Sequence, residues 1–500
     1  MHELLIGLEA VFTFQGILAI LIGVTLGIVV GVLPGLGPSL GVALLIPATF
    51  SLPASVSFNL LVSLYLAAEY GGSITAILIG TPGTAAATAT VIDGYAMNQK
   101  GRGLLALQTS LAAATFGGVV GGIALLIFSR PLVSLALRFG PPEYFALGLF
   151  GVTLIASLSG DAMLKGLVIG VIGLLLDVIG VDPVSGWPRF TFGRPELFEG
   201  IPFLVVLIGV FAMAEVFSMI ETRNETRRAE QVKGFKRLDA RTFRVLLPTF
   251  ARGSVIGTLV GALPGAGASI ASWIAYDQEQ RWSRRDEELG EFGKGSLPGV
   301  AAPEAAASAS VGGALIPLLT LGIPGSPTTA VLVGALILHG LQPGPRLFAA
   351  SPDLIYGLYV GLAVAYVVVY VLGTIAMPLW RRVLAIPNTI LAPAIMTLSL
   401  VAAYSLRNLL FDVWITLGFG VLGFILKKLR FPMAPLVLAM VLGKMIESNY
   451  ARSLIMSQGS NAIFFERPLS LVLIILALLA LVWPLIQREL TRRRRAASDR

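Results

Sequence analysis

Apolar runs of membrane length recur along this chain, separated by short polar or charged stretches. They fall near positions 17–49, 57–80, 83–96, 104–128, 144–158, 163–181 and 201–221. After a polar loop come 253–274, 301–322, 326–340, 354–380, 386–405, 409–426, 432–448 and 468–486. A bilayer core is crossed by roughly 20 apolar residues in a helix. The runs are continuous, not alternating, which argues against a transmembrane barrel. The predicted fold is an all-α polytopic membrane protein with about 11 to 15 membrane segments.

Two of these runs are interrupted by one phrase. The first copy is Val30-Gly31-Val32-Leu33-Pro34-Gly35-Leu36-Gly37, the second Val260-Gly261-Ala262-Leu263-Pro264-Gly265-Ala266-Gly267. Each is followed by a second recurring phrase, Gly80-Thr81-Pro82-Gly83-Thr84 and Gly322-Ile323-Pro324-Gly325-Ser326. A Pro-Gly break inside a bilayer frees backbone groups that lipid cannot satisfy, so it must be buried in protein or line a wet cavity. Freed N–H groups at half-helix N-termini suit an anion, and freed carbonyls suit Na⁺. The pairs 57–80/83–96 and 301–322/326–340 predict two spans each or, preferably, a re-entrant hairpin with its tip at the Pro-Gly.

Composition narrows the class. The chain is 56% hydrophobic and 13% charged, about half the charged fraction of a soluble protein. Its net charge of +8 sits mostly in short loops and at the C-terminus, which is the positive-inside pattern of membrane topology and not a nucleic-acid surface. The loop 222–252 carries Arg223, Arg227, Arg228, Lys233, Lys236, Arg237, Arg241 and Arg244 and is expected in the cytoplasm. Lys100/Arg102, Lys165, Arg381-Arg382, Lys427-Lys428 with Arg430, and the tail with Arg492-Arg493-Arg494-Arg495 fall on the same side. The N-terminus, with Glu3 and Glu9, then lies outside. The two Leu-Pro-Gly segments enter from opposite sides, the inverted-repeat arrangement of secondary transporters. The same count puts the mixed patch Arg284-Arg285-Asp286-Glu287-Glu288 outside. Met1-His2-Glu3-Leu4 lacks the basic region of a cleaved signal, and residues 1–15 are expected as an interfacial amphipathic helix. The expected division is a first repeat core over 1–103, scaffold helices over 104–221, the basic loop 222–252, a second core over 253–345, scaffold over 354–486 and a basic tail over 487–500.

The polar residues around the breaks are mostly hydroxyls, which donate to carboxylates without the cost of burying Lys or Arg. Candidate substrate contacts are Ser73, Thr75, Thr81, Gly83, Thr84, Ser308, Gly325, Ser326, Thr328 and Thr329. Gly35, Gly37, Ser39, Gly265, Gly267 and Ser269, with Glu69 and Glu304, are candidates for a cation or backbone site, with Na⁺ at the broken helices. Each of the two glutamates precedes a Gly-Gly pair. Asp93, Asp177, Glu215 and Asp412 are the other acids near apolar segments, Asp177 and Asp412 being expected near interfaces. Without Cys and with only His2 and His339, thiolate and His-based metal or triad sites are not expected. Gly290-Glu291-Phe292-Gly293-Lys294-Gly295-Ser296 has the wrong spacing for a phosphate loop. No cofactor or catalytic residue is expected.

At Gly31 to Pro47, Tyr70 to Arg102, Gly261 to Tyr276 and Phe292 to Gly344 the chain resembles the large membrane subunit of the tripartite tricarboxylate transporters, the TctA type. The resemblance includes Gly299-Val300-Ala301-Ala302-Pro303-Glu304-Ala305-Ala306 and Leu319-Thr320-Leu321-Gly322-Ile323-Pro324-Gly325-Ser326. It implies secondary-active uptake of a di- or tricarboxylate across a bacterial inner membrane, driven by Na⁺ or H⁺. It also implies a periplasmic solute-binding protein (TctC type) and a small membrane subunit (TctB type) of about four spans. The chain departs from the family pattern at Ala307-Ser308 and Gly80, where Asn is usual, and at Pro298, where an acid is usual. A different carboxylate is the expectation. An elevator-like motion of the paired hairpins is expected; an anion channel or a non-transporting scaffold is the rival reading.

Overall fold

The computed structural model describes residues 2–157, 162–182, 185–221, 238–282, 289–376 and 386–482. Among them nine helices are long and apolar enough to cross a membrane, and three shorter apolar helices accompany them. The helices are α1 (His2–Val11), α2 (Phe14–Val32), α3 (Gly37–Leu45), α4 (Ala54–Ile79), α5 (Thr88–Gln99), α6 (Gly103–Ala136), α7 (Pro141–Ser157), α8 (Met163–Asp177) and α9 (Phe203–Glu221, with a π-turn). They continue as α10 (Ala240–Gly261), α11 (Gly267–Trp282), α12 (Leu297–Leu321), α13 (Pro327–Leu338), α14 (Pro352–Ile375), α15 (Asn388–Arg407), α16 (Leu410–Lys428), α17 (Ala434–Met456) and α18 (Pro468–Val482). One two-residue β-ribbon joins Gly180–Val181 to Pro188–Arg189. The chain is an all-α polytopic membrane protein.

The centre is built twice from the same packing device. In the first copy Gly23, Gly27 and Gly31 of α2 press against the carbonyls of Leu60, Leu64 and Ala68 of α4. In the second, Gly253, Gly257 and Gly261 of α10 press against the carbonyls of Ala302, Ala306 and Ser310 of α12. A methyl group on any of these glycines would overlap a carbonyl oxygen, so only Gly allows this approach. Residue numbers rise together along both pairs, so each pair is parallel. Two parallel helices need a return between them, and the Leu-Pro-Gly break supplies it. After Leu33–Leu36, α3 turns back: Gly41 packs on Val30 and Leu64, and the Thr49 carbonyl reaches Ser57 at the start of α4. In the second copy Ser272 of α11 donates to the Pro303 carbonyl, and Glu279 meets Thr249 and Arg252 midway along α10.

The second phrase makes a second re-entry. α4 ends on Gly80 and α12 on Gly322, both left-handed. The chain then dips back, so that Gly83 lies against the Gly31 carbonyl and Gly72, and its N–H donates to Gly72 at 3.1 Å. Gly325 lies in the same way against the Gly261 carbonyl and Ala314. From the tip, α5 returns to the end of α4, where the Asn98 amide donates to the Leu78 carbonyl.

The contacts of α6 fix the relative orientation. It starts beside the end of α4 and pairs Ser110 with Ser73, so it runs against α4. It runs with α12, since Gly117 and Gly121 meet the carbonyls of Ala305 and Ala309. The two copies are therefore antiparallel. α14 answers α6 by running with α4, through Gly361 on Asn59 and Gly373 on Tyr70.

Three expectations change. The broken segments 17–49 and 253–274 do not cross as single spans; each reverses at its break. Hence the segment 289–296 that leads into α12 lies beside Lys100, whose ammonium donates to the Lys294 carbonyl at 2.6 Å, whereas the charge count starts the segment 301–322 from the opposite face. That count cannot detect a reversal, because a crossing plus a hairpin and a re-entry plus a crossing end on the same side. The basic loop expected over 222–252 ends before Ala240, and Arg241 and Arg244 belong to α10. The N-terminal segment is a helix, His2–Val11, packed on α14 with Gly7 against the Tyr356 backbone. Arg223 to Arg237, the Arg284–Glu288 patch, Arg381-Arg382 and the C-terminal tail lie outside the described residues.

Following the helices puts Lys100, Lys165, Lys427 and Lys428 on one face. Glu3, which pairs with Arg130, and Glu143, which pairs with Arg467, lie on the other. Asp177 and Asp412 end and begin helices at that second face, and Asp412 is held by Arg407. α4 and α12 are buried along nearly their whole length, whereas α15 and α16 expose Leu398, Val401, Trp414 and Val421 on faces suited to lipid.

Candidate functional site

All four breaks meet at one cavity of about 300 Å³. The first break contributes Pro38 and Ser39, the first tip Thr84 to Ala86, the second break Gly265 to Ile270, and the second tip Ser326 to Thr328. Tyr65 and Glu69 of α4 and the start of α17 complete the wall. Thus α3, α11 and α13 all begin at the cavity, and α5 begins just behind it. First-turn N–H groups lack intrahelical acceptors and form the positive end of the helix dipole. Three such ends on one small volume create a field for an anion without any Lys or Arg in the lining.

Hydrogen bonds tie the copies together across this cavity. Ser39 of α3 pairs with Thr328 of α13 at 2.9 Å, and Tyr65 with Ser326 at 3.2 Å. Ser326 and Thr329 form a capping box, with Ser326 N–H donating to the Thr329 hydroxyl at 2.8 Å and Thr329 N–H donating to the Ser326 hydroxyl at 3.1 Å. The Thr84 hydroxyl is buried beside the Glu69 carboxylate and makes no hydrogen bond of ordinary geometry among the described residues. A buried hydroxyl normally finds one, so Thr84 is poised for a ligand atom. Glu69 is the only carboxylate in the lining, with no basic side chain beside it.

Behind the first tip lies a second buried carboxylate. Glu304 of α12 accepts from Thr90 of α5 at 2.5 Å and from Ser110 of α6 at 3.0 Å, and Ser110 pairs with Ser73 of α4 at 2.8 Å. Four helices thus meet on one acid caged by hydroxyls. Asp93 does different work. Its carboxylate accepts from the N–H groups of Gly295 and Ser296, each at 2.8 Å, and from the Tyr276 hydroxyl at 2.8 Å. It pins α5 to the start of α12, and the glycine-rich segment before α12 spends its amides there.

Of the residues singled out in the sequence, Ser39, Glu69, Thr84, Gly265, Gly267, Ser269, Ser326 and Thr328 line the cavity. Thr329 acts through the capping box. Gly83 and Gly325 are tip-packing residues, and Thr75 donates to the Gly72 carbonyl beside Gly83. Ser73 and Glu304 belong to the hydroxyl cage. Gly35 and Gly37 shape the first break with positive φ, Gly35 against the Glu215 carboxylate that pairs with Lys427. Thr81 is half-buried on the turn after α4, outside the lining, and the Ser308 carbonyl accepts from Tyr366. His339 pairs with Thr49 at 3.2 Å, joining the ends of α13 and α3. Sequence reasoning missed Tyr65, although it stands one helical turn before Glu69 and shares its face. It also missed Ser110, whose role depends on α6 approaching α12.

The family model described as tripartite tricarboxylate transporter TctA family matches residues 17–438. An uncharacterised 52.8 kDa protein of Agrobacterium vitis, described from the TAR-I ttuC' 3' region, is 39% identical over 489 residues, covering 97% of this chain and 96% of that protein. A second uncharacterised Agrobacterium vitis protein, from the TAR-II ttuC' 3' region, is 36% identical over 230 residues, covering 46% of this chain and 94% of its own length. No solved structure matches.

Proposed function

The chain belongs to the tripartite tricarboxylate transporter TctA family, and from that membership together with its central cavity we propose that it carries a di- or tricarboxylate inward by cation symport. The carrying observation is the convergence on one cavity of three half-helix N-termini and a Thr84 hydroxyl that makes no hydrogen bond of ordinary geometry among the described residues. The substrate's carboxylate oxygens would accept from first-turn amides and from Thr84, Ser269 and Thr328.

Glu69 supplies the coupling. An ionised Glu69 repels an anion placed beside it, and no basic group in the lining offsets it. A proton or Na⁺ must therefore enter with the substrate, and carbonyls freed at the breaks would be further oxygen ligands for Na⁺. The hydroxyl-caged Glu304 is the second acid available to a coupling cation. Inward movement follows if the basic face is cytoplasmic, with the Glu3 face periplasmic in a bacterial inner membrane. The periplasmic binding protein and the small membrane subunit are the partners this reading requires. The repeat cores, with their four tips, would shift as a carrier against the remaining helices.

The test is uptake into proteoliposomes holding both membrane subunits and the binding protein, with Na⁺ and H⁺ gradients imposed separately. Accumulation of a carboxylate under one gradient is expected. Flux that ignores both gradients would make the protein a channel, and no carboxylate flux would leave it a scaffold.

A further inference from the structure

A second cavity, of about 840 Å³, opens on the Glu3 face. Three cations border it: Arg346 after α13, and Lys444 and Arg452 of α17. Gln342, Ser448 and Asn449 add neutral donors, and no Asp or Glu is in the lining. Among the described residues none of the three cations forms an ion pair. Several other cations on this face are matched, as in Arg130 with Glu3, Arg407 with Asp412 and Arg467 with Glu143. Three cations border one hollow that has no acid in its lining, Lys444 also sharing its charge with Asp177 of α8, and together they concentrate anions there.

Its position gives the charge a use. The hollow is flanked by Leu321 and Gly322 at the base of the second tip and by Val333 and Ile337 of α13. The other end of the same element, Ser326 to Thr328, lines the central cavity. One re-entrant element thus separates a basic hollow from the candidate transport site.

We propose that this hollow is a second carboxylate-binding site, a vestibule that receives the anion before the α12–α13 tip admits it to the central cavity. The inference rests on the transport reading for its purpose, but its binding chemistry stands on the three cations alone. Guanidinium groups match carboxylates in a bidentate fork, and the volume lies in the range of small-molecule sites. Being solvent-exposed, the site is weak and salt-sensitive.

The experiment measures equilibrium binding of labelled citrate, succinate and malonate to the purified full chain, alongside uptake by the reconstituted system. The wild-type chain is expected to show two classes of site. The triple variant Arg346→Gln, Lys444→Gln, Arg452→Gln loses the weaker, salt-sensitive class. Its uptake KM rises about tenfold or more, with kcat nearly unchanged. The charge-keeping Arg346→Lys, Arg452→Lys variant retains most of the binding, which separates lost charge from lost folding. Thr84→Val with Thr328→Val removes the other class; if those changes leave uptake intact, it is the central-site reading that fails. The vestibule is overturned if the triple variant binds all three acids as the wild type does, or if none binds in a way that depends on these cations. It is also overturned if the triple variant loses only binding-protein-driven uptake, since the hollow would then be a protein-docking surface.

Discussion

In the two copies of the repeat the backbones agree rung by rung, but the polar groups do not. Gly31 and Gly261 each meet a carbonyl of the neighbouring long helix and each receive a tip glycine, Gly83 or Gly325. The residue after the first of these carbonyls is Glu69; the residue after the second is Val311. Two positions beyond Leu60 stands Val62, and two beyond Ala302 stands Glu304. Each copy therefore carries one acid where the other carries valine. Glu69 faces the cavity, and Glu304 sits in a cage whose hydroxyls come from α4, α5 and α6. The tips differ as well. The first leaves Thr84 without a hydrogen bond of ordinary geometry among the described residues, whereas the second is closed by the Ser326–Thr329 box. The shared backbone device makes a cavity from both sides, and the unlike side chains divide cation and anion chemistry within it.

The most damaging way to probe the shared part is to fill the tips. Gly83→Val and Gly325→Val each place a side chain on a carbonyl, and each should cost about 3 kcal/mol or more and abolish uptake. Gly122→Ala, in open space, should leave melting temperature and uptake near wild type. A tolerated valine at one tip would break the equivalence of the copies.

The acids sharpen the difference. Glu304→Ala strands the Thr90 hydroxyl, leaves Ser110 with Ser73 alone and should lower stability by about 2 kcal/mol. Glu69→Ala, at the cavity wall, should cost less. Glu69→Gln should keep carboxylate binding while freeing it from the cation; equal binding with and without Na⁺, at pH 6 and pH 8, is the expected result. Asp93→Asn weakens the bonds that fasten α5 to α12 and should cost about 1 to 2 kcal/mol, visible as faster amide exchange at Gly295 and Ser296. The smallest stability effects distinguish the tips. Ser326→Ala loses a capping box and should cost about 1 kcal/mol. Thr84→Val exchanges a buried hydroxyl that makes no hydrogen bond of ordinary geometry for a methyl group of similar shape and should change stability by less than about 1 kcal/mol, while still weakening carboxylate binding.

Much of this was legible in the sequence. The apolar runs located nearly every helix, and the doubled Pro-Gly phrases located the breaks that line the cavity. Loop charge set the two copies in opposite orientation. The glycine ladder, Gly23, Gly27, Gly31 and again Gly253, Gly257, Gly261, stands in the sequence but went unread there, because which carbonyls it meets depends on two helices being parallel. That in turn depends on the breaks being reversals, which charge parity does not register. Glu304 stood out as an intramembrane acid, yet its partners arrive from three other helices. Arg346 and Arg452 lie far apart in the chain and gain meaning only where α13 and α17 converge.

Because the chain contains no Cys, single thiols report without a background, and one measurement reaches the central claim. Thr84→Cys and Ser269→Cys stand on opposite copies in the cavity, and Ser405→Cys lies partly exposed on α15, outside the cavity lining. In reconstituted, uptake-competent protein, a transported carboxylate with its coupling cation should slow maleimide labelling at both cavity positions and leave Ser405→Cys unchanged. Labelling at Thr84→Cys and Ser269→Cys that is indifferent to a carboxylate the protein demonstrably transports would contradict the account.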